Sequence, residues 1–350
     1  MKLIRPVVLV LLLAALLSAV SCGRGEEPRT NTYYEYFDTV SYISSYRGSA
    51  ESEEEFEDIC ARIEGIMKKY HRLMDIYHEY EGMNNLATVN KNAAVAPVEV
   101  SEELIELLLY AKEIYRLTGG EVNVAMGAVL SLWHECREEA EADTGAAHLP
   151  EEEALRAAAE HTSIDSIVID RSASTVYISD KDTSIDLGAI GKGYAAERAA
   201  EYLDEQKIDS YVLNFGGNIR AVGTKPDGEA WVTGITDPDP DSKDAYAARI
   251  SLSDSSCVTS GSYQRYFTVD GKDYHHIIDK DTLYPSEHFV SVSVITPDSA
   301  LADALSTALF SMSYEDGLAL CESIGGVGVI WIRPDGEILM SEEINAILIK

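Results

Sequence analysis

The sequence predicts an α+β fold, a single domain of mainly antiparallel sheets with flanking helices. Its candidate strands are joined by short turns, as at Asp270-Gly271 and at 334–336, which is how antiparallel neighbours connect. Its helical stretches do not alternate regularly with strands, so a doubly wound parallel sheet is disfavoured, and no period of repeat length is present. With 350 residues, 46% of them hydrophobic, the chain can bury one sizeable core.

In chain order, Tyr34, Tyr36, Val40, Tyr42 and Ile43 read as a strand. An acidic start at 51–55 opens a helix whose buried stripe, Phe56, Ile59, Ile63, Ile66, Met67 and Tyr70, falls at helical spacing. Residues 75–94 read as polar and irregular, after which Ser101 caps a helix carrying Leu104, Leu107, Leu108, Ala111 and Ile114, stopped by Thr118-Gly119-Gly120. The acidic, Ala- and Gly-rich segment 139–150 reads as a surface insertion before a short helix. A hairpin follows at 167–169 and 175–178, then a glycine loop at 185–193 opening a helix over 194–203. Strands are expected at 211–213, 219–222, 230–236, 247–252 and 290–295, and Pro297-Asp298 starts a helix reaching about Met312.

At the amino terminus Lys2 and Arg5 precede an apolar run, 6–17, and small residues lead to Cys22. The run is too short to span a bilayer as an anchor helix and reads as a signal peptide, 1–21. The segment ending at Cys22 resembles a bacterial lipobox, so Cys22 is expected to carry lipid, with 22–32 a polar tether and 33–350 the catalytic domain. That places the protein outside the cytoplasm, anchored on the outer face of the bacterial cytoplasmic membrane or in the periplasm. A net charge of -32 excludes nucleic acid as a partner and docking on anionic lipid by charge. Cys60, Cys136, Cys257 and Cys321 form no Cys-x-x-Cys pair; both disulfides and buried free thiols are compatible with their spacing.

Three segments could carry chemistry. The loop Asp186-Leu187-Gly188-Ala189-Ile190-Gly191-Lys192-Gly193, glycine-rich and just before a helix, suits a phosphate. It is not a P-loop, since its glycine spacing differs and Gly193 stands where a hydroxyl should ligate magnesium, and it lacks the downstream acid of a dinucleotide fold. In Ala302-Asp303-Ala304-Leu305-Ser306-Thr307, Asp303 and Thr307 share a helix face; such a pair can hold Mg²⁺ or simply be solvated, but the apolar neighbourhood demands partners. The third, 258–267, runs into a hairpin bearing His275-His276-Ile277-Ile278-Asp279, of whose adjacent histidines one at most faces a given site.

Together with Asn214-Phe215-Gly216-Gly217-Asn218, these motifs resemble the ApbE family of FAD:protein FMN transferases. The resemblance implies a Mg²⁺ held by the Ala189 carbonyl, Asp303 and Thr307, with FAD as substrate. It implies flavin contacts from Phe37, Tyr77, Ala125, Met126, Gly127, Asp186, Lys192 and Ile278, and His276 as general base. The implied partner is an acceptor flavoprotein bearing a Ser/Thr flavinylation motif. The chain departs from the family pattern after Asp279, with Lys280 and Leu283 where the family has Pro and Gly. Two other readings use the same residues, a Mg-dependent FAD pyrophosphatase and a flavin-binding lipoprotein without catalysis. The family's acceptor pattern, Asp followed shortly by Ser-Gly-Ala-Thr, is not completed at Asp38 or at Ser260, so the chain reads as donor enzyme.

Overall fold

The structure is a computed structural model and describes residues 27–349. The chain opens with strands β1 (Arg29–Tyr33) and β2 (Ser41–Ser45), followed by helices α1 (Glu53–Met74) and α2 (Leu86–Lys91). A short strand, β3 (Val98–Glu99), precedes helices α3 (Glu102–Leu117), α4 (Gly127–Ala142) and α5 (Glu152–Ala159). The hairpin of β4 (Ile167–Asp170) and β5 (Thr175–Ile178) leads through the glycine loop to α6 (Gly191–Glu205). Then come β6 (Tyr211–Phe215), β7 (Asn218–Val222), β8 (Trp231–Thr236), β9 (Tyr246–Leu252) and β10 (Ser255–Gly261). After β11 (Tyr266–Val269), β12 (Lys272–His275) and β13 (Ser291–Thr296) the chain forms α7 (Ser299–Ser311), α8 (Tyr314–Ile324), β14 (Gly328–Ile332) and β15 (Ile338–Met340).

The expected α+β class holds. Eight strands form one sheet in the order β1-β2-β6-β7-β10-β13-β14-β15, and each neighbouring pair is antiparallel. One face is apolar at alternate positions: Ile43, Tyr211, Leu213 and Phe215 bury against Phe56, Ile63 and Met67 of α1 and the alanines of α6. The small residues Ala195, Ala196, Ala199 and Ala200 let α6 lie close, while α7 covers the same layer further along through Leu305 and Leu309. On the opposite face the β8–β9 ribbon packs Trp231, Ile235, Ile250 and Leu252 over Ala221, Cys257, Ile295 and Ile330. Polar caps sit where the sequence puts them, with Ser52, Ser101 and Asp298 accepting from the first turns of α1, α3 and α7.

The boundaries differ from expectation in several places. Of the stretch read as one strand from Tyr34 to Ile43, only the end belongs to a strand, β2, since the chain reverses over 34–40 with Phe37 and Asp38 in the left-handed region at φ 58° and 51°. Residues 29–32, read as tether, pair with β2 instead, Arg29 opposite Ser45 and Thr32 opposite Tyr42. A polar strand is stable there because one edge and part of one face meet water. The domain therefore includes Arg29, and the signal peptide, Cys22 and the tether's first residues lie outside the described residues. The stretch read as irregular contains α2, which buries Leu86, Ala87 and Val89, and 139–142 of the expected insertion continue α4. All four cysteines among the described residues are buried free thiols. No described helix is long and apolar enough to cross a membrane.

Phe215 is 0% exposed beneath the β6–β7 turn and stacks on Phe37 with centroids 6.3 Å apart. Phe215→Ala is expected to cost about 3–5 kcal/mol of stability, read as a lower urea midpoint with unchanged slope.

Candidate active site

Gly193 fixes how closely the start of α6 meets α7. A Cβ there would stand 2.3 Å from the Ser299 carbonyl oxygen and 2.4 Å from Asp303 Cβ, so only glycine permits the approach. Asp303, 4% exposed, consequently reaches the first turn of α6, where its Oδ2 accepts the Gly193 N–H at 2.7 Å. Its Oδ1 lies 3.9 Å from Lys192 Nζ. Burial pushes the Asp303 carboxyl up from its ordinary value, while Lys192 and the Gly193 N–H pull it back towards the carboxylate.

Gly193 N–H is one of the donors that a helix start leaves without a helical partner, and Asp303 satisfies it. Ala189 precedes the N-cap Ile190, so its carbonyl has no helical donor, and it accepts no hydrogen bond among the described residues. Thr307 lies one turn beyond Asp303, with its hydroxyl 3.5 Å from the Asp303 carbonyl. Ala189, Lys192, Asp303 and Thr307 all line one cleft. A carbonyl, a carboxylate and a hydroxyl with so few donors among them make a local excess of hard oxygen, which fits a small divalent cation.

Both histidines are placed by the β11–β12 hairpin, with different roles. His275 uses both ring nitrogens within the fold, donating from Nε2 to the Ser286 carbonyl at 2.8 Å and accepting the Ile277 N–H on Nδ1 at 3.2 Å. His276 opens to the cleft, and its Nδ1 lies 3.2 Å from the Arg265 carbonyl. A carbonyl only accepts, so Nδ1 carries the hydrogen and Nε2 bears the lone pair. Although solvent reaches the ring through the cleft, the surrounding protein pushes its pKa down to about 3, burial being the main cause and the Arg265 and Lys192 charges adding to it.

The cleft has a volume of about 3010 Å³ and is also lined by Tyr77, Met126, Gly127, Asp186 and Ile278. Gly127 must lack a side chain, because a Cβ would meet the Ser184 carbonyl oxygen at 2.6 Å, where Gly127 N–H already donates at 3.0 Å. Asp186 accepts the Gly188 N–H at 2.7 Å, and burial raises its pKa. Two expected flavin contacts stand elsewhere. Phe37 packs on His71 and Phe215, leaving Asp38, Thr39 and Val40 to line the cleft, and Ala125 is wholly buried behind Met126. The left-handed turn at Phe37 causes the first difference, and the inward side of the 123–126 turn the second.

Sequence reasoning missed α4, whose His134 and Arg137 line the cleft beside Tyr77. Their signal was present, as polar residues spaced three apart on a stretch that also carries Val129, Trp133 and Cys136 at helical spacing. Arg265 was also missed: besides its carbonyl bond to His276, its guanidinium donates to the Asp38 carbonyl at 3.1 Å, clasping the β10–β11 loop to the β1–β2 turn. The departure after Asp279 does not alter the loop's handedness, since Leu283 adopts φ 63°, as a glycine would. Asp279 and Leu283 close the turn by a 2.9 Å bond, and the Leu283 carbonyl accepts Trp133 Nε1–H at 2.9 Å.

A phosphate-friendly helix start, three hard oxygens and a histidine lining one large cleft suit an enzyme that handles a nucleotide-sized phosphoryl substrate. The family model of the ApbE family matches residues 37–331, and the chain belongs to that family. It is 35% identical over 271 residues to the FAD:protein FMN transferase of Treponema pallidum, covering 73% of this chain and 72% of that protein. It is 31% identical over 303 residues to that of Haemophilus influenzae, covering 85% and 83%. Among solved structures it is similar to the ApbE protein of Thermotoga maritima, with TM-score 0.79 and 28% identity over 93% of this chain and 100% of that one. The flavin transferase ApbE of Vibrio cholerae gives TM-score 0.74 and 25% identity over 92% and 100%.

Gly193→Ala is expected to lose about 1–3 kcal/mol by forcing α6 from α7. Gly65→Ala, on exposed α1 with nothing within 4 Å, is expected to be neutral or stabilising, so paired urea titrations separate contact from helix propensity.

Proposed function

We propose that the chain is an FAD:protein FMN transferase, moving FMN from FAD to a Ser or Thr hydroxyl of an acceptor flavoprotein and releasing AMP. The observation that carries this is the sharing of one cleft by the Ala189–Asp303–Thr307 oxygens, Lys192 and the lone-pair face of His276. Family membership supplies the substrate class. Ala189, Asp303 and Thr307 would hold Mg²⁺, which when bound supplies charge neutralisation at the pyrophosphate.

The chain's own groups do the rest. The Lys192 ammonium and the start of α6 attract phosphate, and water is limited by the depth of the cleft. His276 Nε2 takes the proton of the acceptor hydroxyl as its oxygen bonds to the FMN-side phosphorus. The P–O bond to the AMP phosphate breaks, and AMP leaves with that electron pair. The Arg265 carbonyl holds the imidazole in the tautomer this needs.

Intact mass of an acceptor domain after incubation with FAD, Mg²⁺ and the purified chain tests the reading. An FMN-sized gain is expected, abolished in Asp303→Ala; AMP and free FMN without a gain would mark a pyrophosphatase instead. His276→Gln should lower transfer at least about 100-fold while FAD affinity changes little.

Because His276 is already neutral far below its ordinary value, protonation reaches it only as pH falls towards about 3. The pH profile of kcat/KM for the acceptor should therefore show no inflection near 6.5, the ordinary imidazole value. An inflection there, absent in His276→Gln, would contradict the depressed pKa.

We also propose export and membrane attachment through a lipid on Cys22. The reading is supported by the apolar run and small residues before it, and by a net charge of -32, which leaves no electrostatic route to anionic lipid.

A further inference from the structure

The β8–β9 ribbon has two edges, of which one is filled from within the chain. Ser251 N–H donates to the Ile347 carbonyl and Ile349 N–H to the Arg249 carbonyl, each at 2.8 Å, so the C-terminal segment occupies the β9 edge. Backbone groups alternate between edges along an antiparallel strand. With Arg249 and Ser251 turned outward, Ile250 and Leu252 bond β8 opposite Thr233 and Trp231. Val232 and Gly234 must then aim their N–H and C=O groups at the other edge, and no strand pairs there among the described residues.

That edge borders the catalytic cleft. Trp231 to Gly234 line the same cavity as His276 and Asp303, and Val232 is 57% exposed. The same sheet face contributes Tyr42, Val212, Asn214 and Ile219 to the cavity wall, of which Val212 and Ile219 also pack on the ribbon's core. The groove begins where Trp231 Nε1–H bonds the Gly223 carbonyl at 3.2 Å, at the end of β7 away from the Gly216-Gly217 turn. The ribbon's loop residues Asp237 and Pro238 line the same cavity as Ser262, His288 and the hairpin that bears His276. Natural edge strands are blunted by charge or proline, but Trp231-Val232-Thr233-Gly234 carries neither, and the irregularity at Ile235/Thr236 ends the pairing surface.

We propose that this edge is the docking site of the acceptor, taking its hydroxyl-bearing segment as an added β-strand whose course leads the Ser or Thr towards His276. This rests on the transferase reading above. An extended segment can lie along an open edge of this kind, and pairing to β8 holds it by main-chain bonds that tolerate varied sequence.

The probe is an acceptor domain carrying an Asp and Ser-Gly-Ala-Thr segment, assayed with the full enzyme, FAD and Mg²⁺. Val232→Pro removes an outward N–H without touching a ribbon bond; Val232→Thr keeps it. The proline variant should raise acceptor KM at least tenfold, with FAD affinity and circular dichroism unchanged and Val232→Thr like wild type. Amide exchange on wild type gives a test independent of folding of the variants, with Val232 and Gly234 gaining protection when acceptor is added. Unchanged KM in Val232→Pro, or no added protection, overturns the docking site and leaves the transferase standing. If wild type releases AMP but never labels the acceptor, the transferase reading fails and the docking site with it.

Discussion

The hydrogen bond from Gly193 N–H to Asp303 Oδ2 is the contact on which the rest of the site depends. It ties the first turn of α6 to the middle of α7, two helices separated by the whole β6–β13 half of the sheet in sequence. It also offsets part of the cost of burying Asp303: desolvation pushes that carboxyl's pKa up, while Lys192 and the Gly193 N–H pull it back. The Ala189 carbonyl, just before the N-cap of α6, accepts no hydrogen bond among the described residues. A bond worth about 1.5–3 kcal/mol as a charge-assisted pair thus joins the glycine loop to the helix that carries Asp303 and Thr307.

A second constraint is the division of labour between adjacent histidines. His275 is spent on holding the loop after β12 to the Ser286 carbonyl and packs on Phe310, centroids 5.4 Å apart. That anchoring presents His276 to the cleft from a rigid hairpin, and the Arg265 carbonyl then sets its tautomer. Arg265 spans the site with its other end on the Asp38 carbonyl, so His276, the β10–β11 loop and the β1–β2 turn form one connected frame. A histidine held in this way needs no neighbouring carboxylate to orient it.

Much of the fold was legible because helices and hairpins leave local marks. The α1 stripe, the Ser101 and Asp298 caps and the Asp270-Gly271 turn all sit where periodicity and turn chemistry put them. The edge strand β1 was not legible, since its polar residues bury little and its identity comes from pairing with β2, a partner across a turn built on two left-handed non-glycine residues. The left-handed Leu283 was hidden for the same reason: nothing in a leucine announces φ 63°, which is imposed by the bonds that close 279–284.

By itself the sequence determined the α+β class, the glycine loop, the Asp303–Thr307 spacing and the family resemblance that named His276, because each is carried by residues close together in the chain or by order along it. Tertiary structure alone decided that Phe37 and Ala125 stand behind the cleft wall, that Arg265, His134 and Arg137 border it, and that β8 keeps an open edge beside it. Those facts depend on which backbone groups pair and which faces pack across more than a hundred residues, for instance Arg265 on Asp38, and chain order does not encode such distances.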